Sequence, residues 1–290
     1  MASQNDLSAL FARLSLPATS NRRQDSGFLL CDNATTIREA VGVLKSCSTL
    51  ILDCEALSLG NKGGRLSLIS IRTTPVSTAR TFVIDALALT KEELQPILDL
   101  IQSKDVRKVV FDGRMDYCAL FFEYNIRIQN VVDVQLADVQ SRTLRGETTF
   151  NQRGRLIGYL LYGEVTGWKR ERYEQVHMLP GVAKCLKDHG ILGVQDKTVV
   201  DHTKWLQRPL SAQYLSYAAQ DVYIIGIIYD HFLKKRLVGT ELPEQSARYV
   251  SIWENDQPLQ GDVTLVSYSQ SQQMGLKDRR LEFLQQISYM

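Results

Sequence analysis

Two things are scarce in this chain of 290 residues: histidine, with four, and net charge, +2 from 34 basic and 32 acidic side chains. The near balance removes overall charge as a source of affinity for a polyanion, so any such affinity has to come from local patches. The five cysteines (Cys31, Cys47, Cys54, Cys118, Cys185) form no Cys-x-x-Cys pair, and with so few histidines they give no zinc-ligand spacing. Free buried thiols in a reducing compartment are the reading that remains. No window approaches the roughly 18 consecutive apolar residues that span a bilayer, and no apolar N-terminal stretch resembles a signal peptide. The expectation is a soluble, intracellular protein with no membrane partner. What the chain does have is 44% hydrophobic residues, enough core for one large domain or two small ones.

Residues 1–27 are rich in Ser, Asn, Gln and Arg and read as a leader. Then TTIREAVGVLKSC sets Ile37, Ala40, Val41 and Leu44 at helical spacing behind the cap candidates Thr35 and Thr36. TLILDCE, RLSLISIR and TFVIDAL read as strands. KEELQPILDLIQS and MDYCALFFEYNI read as helices on either side of a buried strand, KVVF. A meander followed by alternating helix and strand predicts an α/β fold: a mixed sheet flanked by helices, with functional carboxylates at strand ends and adjoining helix starts.

Segment 142–178 interrupts this rhythm. Arg142, Arg145, Arg153, Arg155, Lys169, Arg170 and Arg172 stand against four glutamates, with Phe150, Tyr159, Tyr162, Trp168 and Tyr173 interleaved. Cations among aromatic platforms suit single-stranded nucleic acid. A solvated helical insertion with LIGYLLYG as its buried face fits the same residues. Ser211 to Lys235 reads as the longest helix, capped by Ser211, with Lys234, Lys235 and Arg236 opposing its negative pole. Beyond Arg236 the pattern is weak until an amphipathic stretch, LKDRRLEFLQQI, suited to docking on the domain or on a partner.

Five residues carry the chemistry. In ILDCEALS, Asp53 and Glu55 end an apolar run, and the period of two in a strand puts both carboxylates on one face. Tyr217 and Asp221 are four apart in a helical pattern, one turn from each other on one face. With Asp116 in FDGRMDYCAL they make sense as a cage for two divalent ions, Mg²⁺ or Mn²⁺, since clustered hard oxygens suit those cations. Asp112 reads as a helix cap, Asp138 as solvated, and Asp133 as structural or supporting the site.

The motifs ILDCEALS…GRLSLISI, KVVFDGRMDYCALFFEYNI…NVVDVQLAD and KWLQRPLSAQYLSYAAQDVYII resemble those of the DEDD superfamily of 3′-to-5′ exonucleases, the RNase D and Werner exonuclease group. Tyr217-x-x-x-Asp221 is similar to the tyrosine subclass, and the second motif to the Egalitarian-like exonuclease-domain branch. The resemblance implies a ribonuclease H-like fold and an exonuclease domain over 28–236, with an extension over 237–290. It implies stepwise release of nucleoside 5′-monophosphates from single-stranded 3′ ends, RNA favoured over DNA.

By the same resemblance, Asp53 bridges both ions, Glu55 and Asp221 hold the ion that activates water, Asp116 holds the other, and Tyr217 orients the water. Leu57 is either a wedge against the terminal base or a core leucine. Arg208 and Trp205 are candidates for contact with the substrate strand, with packing the other reading for Trp205. The insertion after Asp138 departs from compact bacterial members, and the 54 residues after Arg236 leave no room for the helical C-terminal domain of RNase D. Some Egalitarian-like members have lost carboxylates and serve as RNA-binding scaffolds, which keeps a catalytically silent adaptor as the alternative. A glycosidase using two acids fails on the additional carboxylates and on the lack of aromatic residues for a sugar cleft in the motifs.

Overall fold

The structure, a computed structural model, describes residues 27–259 apart from 158–159, 174–176, 192–193 and 195–198. The leader (except Gly27), the stretch LKDRRLEFLQQI, Tyr159 and the side chain of Arg172 lie outside the described residues.

β1 (Phe28–Cys31) leads into α1 (Ala34–Leu44), then β2 (Thr49–Leu57), β3 (Arg65–Thr73) and β4 (Thr81–Asp85). α2 (Lys91–Gln102), β5 (Arg107–Val110), α3 (Arg114–Tyr124), β6 (Val131–Asp133) and α4 (Val134–Leu144) follow in alternation. The six strands form one sheet in the order β1-β4-β3-β2-β5-β6. β2, β3 and β4 run antiparallel as a meander, while β1 joins β4, β5 joins β2 and β6 joins β5 in parallel. The mixed sheet flanked by helices is the architecture expected from the element order, and it has the ribonuclease H-like form.

The cap of α1 differs from expectation. Asn33 is the N-cap, its side chain accepting from the backbone N–H groups of Thr35 and Thr36, and Thr36 returns the bond as the third residue of a capping box. A threonine inside the first turn and one before it look alike in sequence.

The insertion holds α5 (Thr149–Gly154) and α6 (Tyr162–Thr166), with its own small core of Leu156, Val165, Tyr173 and Met178. α7 (Val182–Asp188) and α8 (Ala212–Lys234) follow. At 23 residues α8 is about 34 Å long and lies across the central strands, with Val222, Ile225 and Phe232 in the main core. Ser211 occupies its N-cap position but makes no side-chain capping bond. No described helix is long and apolar enough to cross a membrane.

The core continues past residue 236, where the motif reading ended. α9 (Leu242–Val250) sets Leu242, Tyr249 and Val250 into the same cluster as the sheet residues. Their spacing of i, i+7, i+8 lies on one helical face, but three apolar positions in a polar stretch make a faint periodic signal.

Candidate active site

The site begins where the sheet loses a strand. β5 pairs with β2 only from Thr49 to Ile51, so the later half of β2 has no neighbour on that side. A buried backbone N–H left there needs an acceptor. The Cys54 N–H finds it in Asp116, donating to Oδ1 at 2.6 Å. Asp116 sits in the first turn of α3 and is 5% exposed. It therefore stands against the residue that separates Asp53 from Glu55.

The loop that aims Asp116 is held from several directions. Asp133 accepts from the N–H groups of Asp112 (3.1 Å) and Gly113 (2.9 Å), and also caps α4 through Gln135. A side chain at Gly113 would meet Val110 at 2.6 Å, so the tight turn after β5 requires glycine. Asp112, at φ +55°, does not cap α3 as expected. The N-cap position is Gly113, and the Asp112 carboxylate instead takes a two-pronged ion pair from Arg114 and the hydroxyl of Tyr249. Asp133, read as structural or supporting, is the fully buried clamp between these turns.

Opposite them, α8 brings Asp221 to the acids of β2, with Tyr217 one turn earlier on the same helix. One carboxylate oxygen from each of Asp53, Glu55 and Asp221 lies within 4.8 Å of the other two. Asp116 is outside that threesome and adjoins it through Cys54. Glu55, Asp116 and Asp221 are all under 9% exposed. Burial pushes the Asp116 carboxyl up to about 7, with Asp112 and Asp133 adding to the rise against the hydrogen bonds from backbone N–H groups. Burial, with the charges of Asp116, Asp53 and Glu55, raises the Cys54 thiol well above its ordinary value. A donor set of hard carboxylate oxygens, crowded and withdrawn from water, fits divalent cations such as Mg²⁺ or Mn²⁺.

Three further expectations meet the geometry differently. Trp205 has no exposed face for a base. It is fully buried, its Nε1–H donating to His202 Nδ1 at 3.2 Å and its ring lying 5.8 Å from that of Tyr217. Arg208 is committed to Asp85 through Nε and Nη2, both at 2.7 Å, and to the Ser67 hydroxyl at 3.0 Å. Together with Ser67, whose Oγ donates to the Trp205 carbonyl at 2.6 Å, they build the wall behind Tyr217. Leu57 is half-buried at the last position of β2, just past the bulge at Glu55/Ala56. His202, which the sequence did not flag, packs edge-on against Tyr217 at 5.8 Å.

Five of the seven cations counted in the insertion are engaged by neighbouring side chains, while Arg170 is exposed. Arg142 is fully buried on Asp138, Arg145 joins the same carboxylate, Arg155 forks onto Glu147 and pairs with Asp188, and Lys169 pairs with Glu164. Arg153 is 9% exposed, with its guanidinium over Phe150. Asp138, expected to be solvated, is therefore the buried centre of an ion network, which also takes His189 Nε2 at 2.9 Å. Asp138, Cys185 and His189 also have the spacing of metal ligands, but two guanidiniums on Asp138 already supply the positive charge there. Phe150, Tyr162 and Trp168 remain exposed, while Tyr173 is buried.

Comparison with known proteins matches residues 30–145 to the family model of a 3′-5′ exonuclease. Trypanosoma brucei RNase D superposes with a TM-score of 0.60 at 22% identity, over 85% of this chain and 80% of that one. The chain shares the fold of that enzyme. The structure of the same T. brucei enzyme in complex with RNA U12 gives 0.57 at 22% identity, over 82% and 74% of the two chains. The catalytic core of T. brucei RRP6 gives 0.50 at 16%, over 79% and 55%. No curated protein matches the sequence. The family match ends before Tyr217 and Asp221; it is the fold that sets Asp221 beside Asp53 and Glu55.

Proposed function

We propose that the protein is a 3′-to-5′ exonuclease of the tyrosine subclass, hydrolysing single-stranded nucleic acid with two divalent ions and releasing nucleoside 5′-monophosphates. The observation that carries the reading is the convergence of Asp53, Glu55 and Asp221, with Asp116 bonded to the strand between the first two, on a DEDD exonuclease fold. The likeness to an RNase D whose structure holds RNA U12 inclines the reading to RNA over DNA. Similarity of the second motif to the Egalitarian-like branch inclines it the same way.

In this reading Asp53, Glu55, Asp116 and Asp221 hold the ions. When bound, Mg²⁺ or Mn²⁺ supplies an activated water and neutralises charge on the leaving oxygen. Tyr217, wedged against Trp205 and His202, directs its phenol at the attacking water. Leu57, at the end of β2, stands against the terminal base.

The test is incubation of 5′-labelled single-stranded RNA and DNA with the purified chain, with Mg²⁺, Mn²⁺ or EDTA, beside Asp116→Asn and Tyr217→Phe. A ladder shortening from the 3′ end, stopped by EDTA and by Asp116→Asn, supports the proposal. Retention of the strand without shortening under any ion favours a silent binding scaffold.

A further inference from the structure

The polypeptide that follows α9 crosses back over both stretches of chain that present the proposed ion ligands. Glu254 accepts from the hydroxyl of Tyr117, the neighbour of Asp116, and from Arg127 through Nε (3.1 Å) and Nη2 (2.7 Å). Gln257 Nε2 donates to the Gly60 carbonyl at 3.1 Å, and the Pro258 carbonyl accepts from the Lys62 N–H at 2.9 Å. The loop so held is the one leaving β2 after Glu55 and Leu57. Before this strap, α9 already reaches the same region. Ser246 Oγ accepts from the Asp133 N–H at 2.9 Å, and the Tyr249 hydroxyl bonds to Asp112 at 3.1 Å and Gln135 at 2.8 Å.

We infer that residues 254–258 are a positioning element for the ion site, fixing the loop after β2 and the start of α3 relative to each other so that Glu55 and Asp116 keep one separation.

Two features make the strap more than surface decoration. The loop and the helix touch directly at Gly60, where a Cβ would lie 2.6 Å from the Met115 carbonyl, so a shift of the loop is passed to the residue before Asp116. Yet a cavity of about 190 Å³, lined by Gly60, Asn61, Cys118, Phe122 and Glu123, lies between them and gives the loop room to move. Gln257 lines the same cavity, so the strap removes a freedom that the core leaves open. Glu254 acts through Tyr117 and touches no reacting atom, which makes it a positioning residue.

The inference rests on the proposed ion site, and its test reads ion affinity separately from nuclease activity. Mn²⁺ is titrated calorimetrically into the full chain as wild type, Glu254→Gln, Gln257→Ala and Leu98→Ala, the last removing core packing in α2 far from the strap. Turnover and urea stability are measured on the same samples. Both strap variants are expected to bind Mn²⁺ about 10-fold more weakly, the loss typical when a group that orients a ligand is removed. Their kcat falls at limiting Mn²⁺ with KM for the strand unchanged, and excess Mn²⁺ restores it. Leu98→Ala loses stability and keeps wild-type Mn²⁺ affinity. Wild-type Mn²⁺ affinity in Glu254→Gln and Gln257→Ala overturns the inference, as does an equal loss in Leu98→Ala. A wild type that binds Mn²⁺ but shortens no strand removes the exonuclease reading, and the affinity difference still decides the role of the strap.

Discussion

Replacing Asp116 by Asn should make the ion-free protein more stable while taking away its response to metal. The carboxyl is 5% exposed and held up at about 7 by burial and by Asp112 and Asp133. In the unfolded chain an aspartate titrates near 3.9. An acid raised on folding costs nothing below its unfolded value; the penalty grows as pH climbs between the two values and is complete above the folded one. Roughly three decades at about 1.4 kcal/mol each give a ceiling of about 4 kcal/mol at pH 8, and about 1.5 kcal/mol at pH 5. Asparagine keeps an oxygen for the Cys54 N–H, so the supporting bond at 2.6 Å survives. Urea unfolding in EDTA should therefore show Asp116→Asn to be the more stable protein by about 2–4 kcal/mol at pH 8, with the gap closing towards pH 4. Excess Mn²⁺ should reverse the order, because ions bound only by the native wild type add stability by mass action. A variant less stable than wild type in EDTA at pH 8, or one that gains as much from Mn²⁺, refutes the reasoning.

Tyr217→Phe keeps the ring between Trp205 and His202 and removes only the hydroxyl; kcat should drop by about 10- to 100-fold with the Mn²⁺ midpoint unmoved, as read by steady-state assay across ion concentrations. Lys108, 1% exposed, donates to the carbonyls of Leu100, Ser103 and Val106 at the exit of α2. Lys108→Met should cost about 3 kcal/mol in urea unfolding, roughly 1 kcal/mol for each carbonyl left bare. Asp138→Asn breaks the buried network with Arg142, Arg145 and His189 and should lose about 3–5 kcal/mol near neutral pH. Hydrogen bonds from His189 and Arg142 and the two guanidinium charges outweigh burial and hold the Asp138 carboxyl below its ordinary value. Its contribution is thus present above the unfolded value near 3.9 and disappears as pH falls through the folded one. Acid unfolding followed by circular dichroism should show wild type and Asp138→Asn converging below about pH 4.

What could be read from sequence was whatever depends on neighbours in the chain. Asp53 and Glu55 share a face because strands alternate, and Tyr217 and Asp221 share one because a helix turns every 3.6 residues. The core strands announced themselves through unbroken Ile, Leu and Val. The differences involve partners that the local pattern does not mark, whether a turn away, as at the cap of α1, or far along the chain. Asp138 looked solvated because nothing adjacent marks it; its guanidinium partners come from one and two turns further on, and His189 adds a contact at 2.9 Å. Both readings of the insertion stood open in the sequence, because nothing in its own pattern marks the carboxylates Asp138 and Asp188 that pair with several of its arginines. Trp205 packs, as one of its two readings had it, whereas a guanidinium such as that of Arg208 suits a strand and a carboxylate equally. Only the fold shows that Ser67 and Asp85, on β3 and β4, claim their surroundings. Tyr249 had only the faint signal of α9, in a largely polar stretch that reaches the Asp112 turn.

Because the Cys54 amide hydrogen is held by a side chain instead of a neighbouring strand, its exchange with deuterated solvent reports on a single helix turn. Amides in the middle of β2 wait for the sheet to open, whereas this one is freed as soon as α3 lifts at its first residues. Nature has thus left a spectroscopic gauge within the acidic cluster, legible by NMR or mass spectrometry in a protein that need not turn over anything.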